Sequence, residues 1–152
     1  MSRTFARALA AGLFAAAVLT SFPTHAASIR MSAGNNSAFD CVDDFRSQIK
    51  NGNVVDRWSC NAQSNQDWTF VNGNIQLDSS TNKCIMVSDS SNGSTVQLSS
   101  CDQSADQLWT VSPRGEIMNQ ASGYCLDASV GHNSQLRVYR CNGSASQQWF
   151  IR

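Results

Sequence analysis

From Ile29 onward the apolar residues come in short runs that alternate with polar ones, a spacing of two rather than the spacing of a helix. Ile75 and Leu77, Ile85 and Val87, Val96 and Leu98, and Trp109 and Val111 each place two apolar side chains on one face of a short strand. A matching set of four precedes them: Ile29 to Met31, Phe39 to Val42, Val54 to Trp58, and Trp68 to Phe70. A third set follows: Ile117, Cys125-Leu126, Leu136 to Tyr139, and Trp149 to Ile151. Ser-rich and Asn-Gly turns separate the runs, at Asn51-Gly52, Asn72-Gly73, Asn92-Gly93 and Asn142-Gly143. Asn and Gly tolerate the positive φ that tight hairpin turns require. The pattern predicts an all-β domain of twelve strands in three sets of four, with no helix after the N-terminal leader. Closing those hairpins about a threefold axis would remove exposed strand edges.

The cysteines repeat with the strands. Segments Cys41 to Trp68, Cys84 to Trp109 and Cys125 to Trp149 each open with a Cys and end in Gln-x-Trp: Gln66-Asp67-Trp68, Gln107-Leu108-Trp109 and Gln147-Gln148-Trp149. The tryptophans are 41 and 40 residues apart (109 − 68 and 149 − 109), and the second cysteines, Cys60, Cys101 and Cys141, keep the same spacing. Six cysteines allow fifteen pairings in principle. Equivalent cysteines should do equivalent work, so the repeat selects Cys41–Cys60, Cys84–Cys101 and Cys125–Cys141. A zinc site is a poor competitor, because the chain has no C-x-x-C and no clustered His. The repeats run over about 27–70, 71–111 and 112–152.

The first residues address a compartment. A basic start with Arg3 and Arg7, an apolar stretch of thirteen from Ala8 to Thr20, and small residues at Thr24 and Ala26 form a signal peptide, residues 1–26. The stretch is too short to span a bilayer, which takes about twenty apolar residues. The expectation is a secreted protein, extracellular or periplasmic, that meets an oxidising environment. The whole chain carries 11 basic and 11 acidic residues; without Arg3 and Arg7 the remainder has nine against eleven, a net of minus two. That argues against a nucleic-acid binder, which needs a basic patch for phosphates. After the leader only His132 remains of the two histidines, so His-based catalysis and metal chemistry have little to work with.

The threefold Gln-x-Trp with one disulfide per repeat resembles the ricin B-type lectins, over nearly all of the chain from Ile29 to Arg152. The resemblance implies a β-trefoil, with Trp68, Trp109 and Trp149 packed into a shared core. It also implies what a repeat needs in order to hold a sugar: an acid two residues after the first Cys, an aromatic two residues before the second, and an Asn before the Gln of Gln-x-Trp. A pyranose offers an apolar face of C–H bonds and an edge of hydroxyls, which suits a ring beside a carboxylate and amides.

The first repeat has the full set. Trp58 is the stacking platform, Asp43 the hydroxyl acceptor, Asn65 the amide partner, and Gln66 the group that holds the acid. Asp56 stands where the family often has Gln, a departure that adds negative charge. The second repeat offers Met86, Ser99 and Asp106 at the three positions and reads as structural. The third is intermediate and predicts a second, weaker site. Asp127, Tyr139 and Gln147 are in place, Ser146 replaces the amide, and Arg137 fills the second polar position. His132 reads as a solvated turn residue near that third site.

The leading class is therefore a non-catalytic lectin without metal or cofactor, and the resemblance implies galactose- or N-acetylgalactosamine-type or related glycans, with xylan-type ligands left open. Asp43, Asp44 and Asp56 could supply the paired carboxylates of a glycosidase, but no Glu lies near them and Glu116 is the sole Glu in the chain. A third class stays open: an interaction subunit, meaning a protease inhibitor or the receptor-binding partner of a toxin or enzyme.

Overall fold

The sheets are offset by one strand from the sequence repeats. The computed structural model describes residues 28–31, 40–129 and 131–152; the signal segment read from residues 1–26 lies outside them. The strands are β1 (Ile29–Met31), β2 (Asp40–Asp44), β3 (Val55–Ser59), β4 (Trp68–Val71), β5 (Asn74–Leu77) and β6 (Lys83–Val87). They continue with β7 (Val96–Ser100), β8 (Trp109–Val111), β9 (Ile117–Asn119), β10 (Cys125–Asp127), β11 (Arg137–Tyr139) and β12 (Trp149–Ile151). They form three antiparallel sheets of order β12-β1-β2-β3, β4-β5-β6-β7 and β8-β9-β10-β11. Each sheet thus takes the last strand of one repeat and the first three of the next. The tightest hairpin explains the offset: Asn72 and Gly73 adopt φ of 49° and 86° and fold β4 directly onto β5, across the repeat boundary.

The threefold pattern extends to the core. Val42, Ile85 and Leu126 are buried, as are Val55, Val96 and Leu136. The Val96 N–H donates to the Leu136 carbonyl and the Leu136 N–H to the Val55 carbonyl, each at 2.9 Å, tying the repeats together. Trp68, Trp109 and Trp149 are buried as expected, and each indole N–H donates at 3.0 Å to the carbonyl of Val42, Ile85 or Leu126. A buried indole N–H must find such a partner. The three disulfides pair as the repeat selects, at sequence separations of 19, 17 and 16.

Single 3-10 turns are the element that the strand pattern misses. Ser64–Gln66, Ala105–Gln107 and Ala145–Gln147 precede the three tryptophans, and Phe45–Ser47 follows β2. Among the described residues no helix is long and apolar enough to cross a membrane.

The loop between the second and third strands of each repeat docks on the third strand of the next. The N–H of Gly52 donates to Leu98 O, that of Gly93 to Val138 O, and that of Asn133 to Arg57 O, at 2.8, 2.8 and 2.9 Å. All three donors adopt positive φ, 78°, 94° and 62°.

Candidate functional site

Strands β2 and β3 pair with Asp43 directly opposite Asp56, so two carboxyls share one face of the sheet. The 3-10 turn at Ser64–Gln66 brings two amides onto that face. Asn65 Nδ2 lies 2.9 Å from both oxygens of Asp43, and Gln66 Nε2 donates to Asp43 Oδ2 at 2.7 Å. Gln66 also serves the scaffold: its Oε1 accepts from the Asn61 N–H at 2.9 Å and its Nε2 donates to Ser59 O at 3.0 Å. Gln107 and Gln147 make the same two backbone contacts in their own repeats. The glutamine is therefore structural in every repeat and orients an acid only where one is present.

Above this floor opens a cavity of about 560 Å³, lined by Asp43, Asp56, Asn65 and Trp58. Four of the five residues read from the sequence thus meet at one cavity, and Gln66 stands behind Asp43. The remaining wall comes from residues that the sequence did not single out: Phe45, Arg46 and Ser47 on one flank, Asn61 and Gln63 on another, and Asn133 from the third repeat. Trp58 is 39% exposed, as a platform for a ligand must be. Asp44 does not line the cavity; its Oδ1 accepts from Asn53 Nδ2 at 2.5 Å.

His132 is an exposed turn residue, as the sequence suggests, but it lies beside the first site rather than the third. Its ring stacks on Trp58 of the first site, with centroids 5.3 Å apart, and its Nδ1 lies 3.2 Å from Asp40 Oδ1. The signal available was the turn alignment, in which the third repeat carries His132-Asn133 where the others carry Asn51-Gly52 and Asn92-Gly93.

Burial pushes the Asp43 carboxyl up to about 6, against the pull of the Gln66 and Asn65 amides. Asp56 is only 1% exposed, and neither of its oxygens has a hydrogen-bond partner. Burial, and then the Asp43 charge beside it, push Asp56 up to about 7. An unfolded aspartate ionises near 3.8, so between that pH and about 7 the fold holds protons that the unfolded chain has lost. These groups make stability fall as pH rises through that window and level off above it. Asp56→Asn removes the ionisation at nearly constant shape. It should stabilise the chain at pH 8 by about 1–2 kcal/mol once screening by cavity water is allowed for, and have little effect at pH 3.5. Thermal melts of both proteins at the two pH values check this.

The other repeats differ as their residues dictate. In the second, Met86 stands at the acid's position, its thioether meets Gln97 Nε2 at 3.8 Å, and Gln107 Nε2 donates to Ser100 O at 2.8 Å. In the third, Asp127 accepts from Gln147 Nε2 at 2.9 Å and from the Ser146 hydroxyl at 3.3 Å. Asp127, Tyr139 and Ser146 line a cavity of about 320 Å³. Arg137, expected there as a polar contact, turns away: its Nη1 donates to Gly93 O at 2.7 Å, and it lines a neighbouring groove with Ser88 and Asp89. The hydrogen bond to the Gly93 carbonyl on the adjoining loop holds the guanidinium there. Among the described residues no group of three or more His, Cys, Asp or Glu could hold a metal ion.

The family model described as the ricin-type beta-trefoil lectin domain matches residues 29–149. Among solved structures, a designed 3-fold symmetric protein, ThreeFoil, superposes with a TM-score of 0.73 at 20% identity, covering 83% of this chain and 96% of that one. The agglutinin from Abrus precatorius has a TM-score of 0.71 at 24% identity, over 88% of this chain and 51% of that one. A non-toxic homologue of type II RIPs from Momordica charantia has 0.70 at 31% identity, over 84% of this chain and 48% of that one. The chain spans about half the length of each plant chain. Comparison with curated proteins finds no match.

Proposed function

The chain belongs to the ricin-type β-trefoil lectin family, a carbohydrate-binding and non-catalytic domain type, and we propose that its principal sugar site is the first-repeat cavity. Trp58 takes the apolar face of a pyranose, Asp43 accepts from two of its hydroxyls, and Asn65 adds an amide. The observation that carries this reading is the Asp43 carboxylate, held by two amides on the floor of a cavity walled by an exposed indole. Galactose- or N-acetylgalactosamine-type glycans are the ligand class. The Momordica charantia relative, solved in complex with alpha-methyl-D-galactoside, supports that choice. Three disulfides, which persist in oxidising compartments, and the leader of residues 1–26 support action outside the cytoplasm. A glycan array, followed by titration of the best free sugar against the wild-type chain and Asp43→Asn, tests the function and its location together.

Two further outcomes follow. Charge-assisted acceptance requires Asp43 ionised, so affinity at the first site should fall as pH drops through about 6; titrations at pH 5, 6 and 7.5 show it. The third repeat, with Asp127 and Tyr139 in place and a smaller cavity, is a second and weaker site. A bivalent monomer cross-links glycan-coated particles, and engaging both sites raises avidity by about 10²–10⁴. Tyr139→Ala should abolish cross-linking and reduce the stoichiometry of free sugar from two to one. A wild-type stoichiometry of one would remove the second site from this reading.

A further inference from the structure

The three docking turns are equivalent in backbone and differ in one side chain. Asn51 Oδ1 accepts from Lys83 Nζ and Ser100 Oγ at 2.6 and 3.1 Å, and Asn92 Oδ1 accepts from the Arg140 N–H at 2.9 Å. In both repeats the Asn ties its loop to the neighbouring strand and presents no ring. His132 occupies the same place in the third repeat and lays its imidazole on Trp58, with the planes 29° apart. The imidazole is fixed from a second side. Its Nδ1 meets Asp40, whose other oxygen accepts from Arg57 Nε at 2.5 Å, while Arg57 Nη1 donates to Ala128 O at 2.9 Å. The cavity is bounded by Trp58 and Asn133 but not by His132, so the imidazole meets the indole outside the space a sugar would fill. Asn133, exposed at the rim, borders that space.

We propose that the third repeat completes the first-repeat sugar site: His132 is a positioning residue that holds the Trp58 ring in its stacking orientation, and Asn133 is a contact residue whose amide binds ligand hydroxyls. The proposal rests on the first-repeat site being the sugar site. A half-exposed indole without a brace loses rotamer freedom when a sugar binds, and that loss subtracts from affinity. A ring already packed against a neighbour has lost it on folding. The site then spans two repeats, and its affinity depends on a loop 75 residues away in sequence (133 − 58).

The test is titration of the full chain with free galactose, read by the emission of Trp58, the one tryptophan of the four that is not buried. His132→Asn installs the residue that the other two turns carry. It should weaken binding by about three- to tenfold with the melting temperature kept, and His132→Phe, which restores a ring, should recover it. Asn133→Gly suits the positive φ of that turn, so it should weaken binding without loss of stability. Independent of any ligand, the anisotropy of Trp58 emission should fall in His132→Asn and return in His132→Phe; unchanged anisotropy overturns the brace. Asp43→Asn separates the two levels of the argument. If it leaves galactose binding intact, the first-repeat site fails and this proposal with it. If Asp43→Asn abolishes binding while His132→Asn and Asn133→Gly bind like wild type, the site stands and the third-repeat contribution is refuted.

Discussion

Reduction of the three disulfides is expected to unfold the chain at room temperature. The bridges close loops with separations of 19, 17 and 16 residues, and loops of that size contribute about 3 kcal/mol each by restricting the unfolded chain. Three of them together rival the whole 5–15 kcal/mol by which a typical domain is stable. Strands of three to five residues offer little ladder to compensate, since much of the chain lies in turns. Melts followed by circular dichroism, with and without reductant, should differ by at least about 20 °C. Replacing Cys84 and Cys101 together by Ala should cost about 3 kcal/mol and leave binding at the first repeat in place. That bridge lies in the repeat without an acid, and its loss tests stability apart from function.

Asp43→Ala is expected to abolish sugar binding at the first repeat in a chain that still folds. An ionised acceptor contributes about 1.5–3 kcal/mol, so its removal lowers affinity roughly ten- to hundredfold from an already weak start. The fold survives because Gln66 keeps its contacts to Asn61 and Ser59. The second repeat demonstrates the point: Gln107 makes the equivalent pair of contacts in a repeat that carries Met86 where the first carries its acid. The substitution also removes the charge that raises Asp56, so Asp56 should ionise at lower pH in the variant. Calorimetric titration with free sugar measures the loss. Met86→Ala, at the equivalent position of the second repeat, should bind like wild type.

Those two variants mark where sequence reasoning succeeds and where it stops. Period-two apolar runs and Asn-Gly turns locate the strands because burial on one face and positive φ are local demands. The disulfide pairing was legible because equivalence within a repeat needs no three-dimensional information. That Asp43, Trp58 and Asn65 meet at one cavity was legible since each sits at a fixed offset from a cysteine or a tryptophan. The places of His132 and Asn133 were not, because their partners lie across the threefold seam, where sequence separation carries no trace of distance. Arg137 failed for a related reason. Its offset is right, but the carbonyl of Gly93 on the neighbouring loop competes for the guanidinium. The 3-10 turns were missed because three residues are too few to carry a hydrophobic period. Contacts within a repeat are written in the chain; contacts between repeats are written in the symmetry.

The offset of the sheets settles how the ring of strands is joined. β12 pairs with β1 in the register Ile29↔Ile151, and the Ser28 and Arg152 backbones exchange two hydrogen bonds, at 2.6 and 3.0 Å. This junction joins strands remote from one another in the sequence, whereas the equivalent pair β4 and β5 is joined by the covalent turn at Asn72-Gly73. The two joints do the same mechanical work. A peptide linker could therefore bridge residues 28 and 152 while the backbone was cut at 72–73, giving a circular permutant with all three sheets intact. Strand numbering would change and the first-repeat cavity would not, since β2, β3 and the turn at Ser64–Gln66 remain on one continuous piece. The architecture has an order around a circle but no first strand.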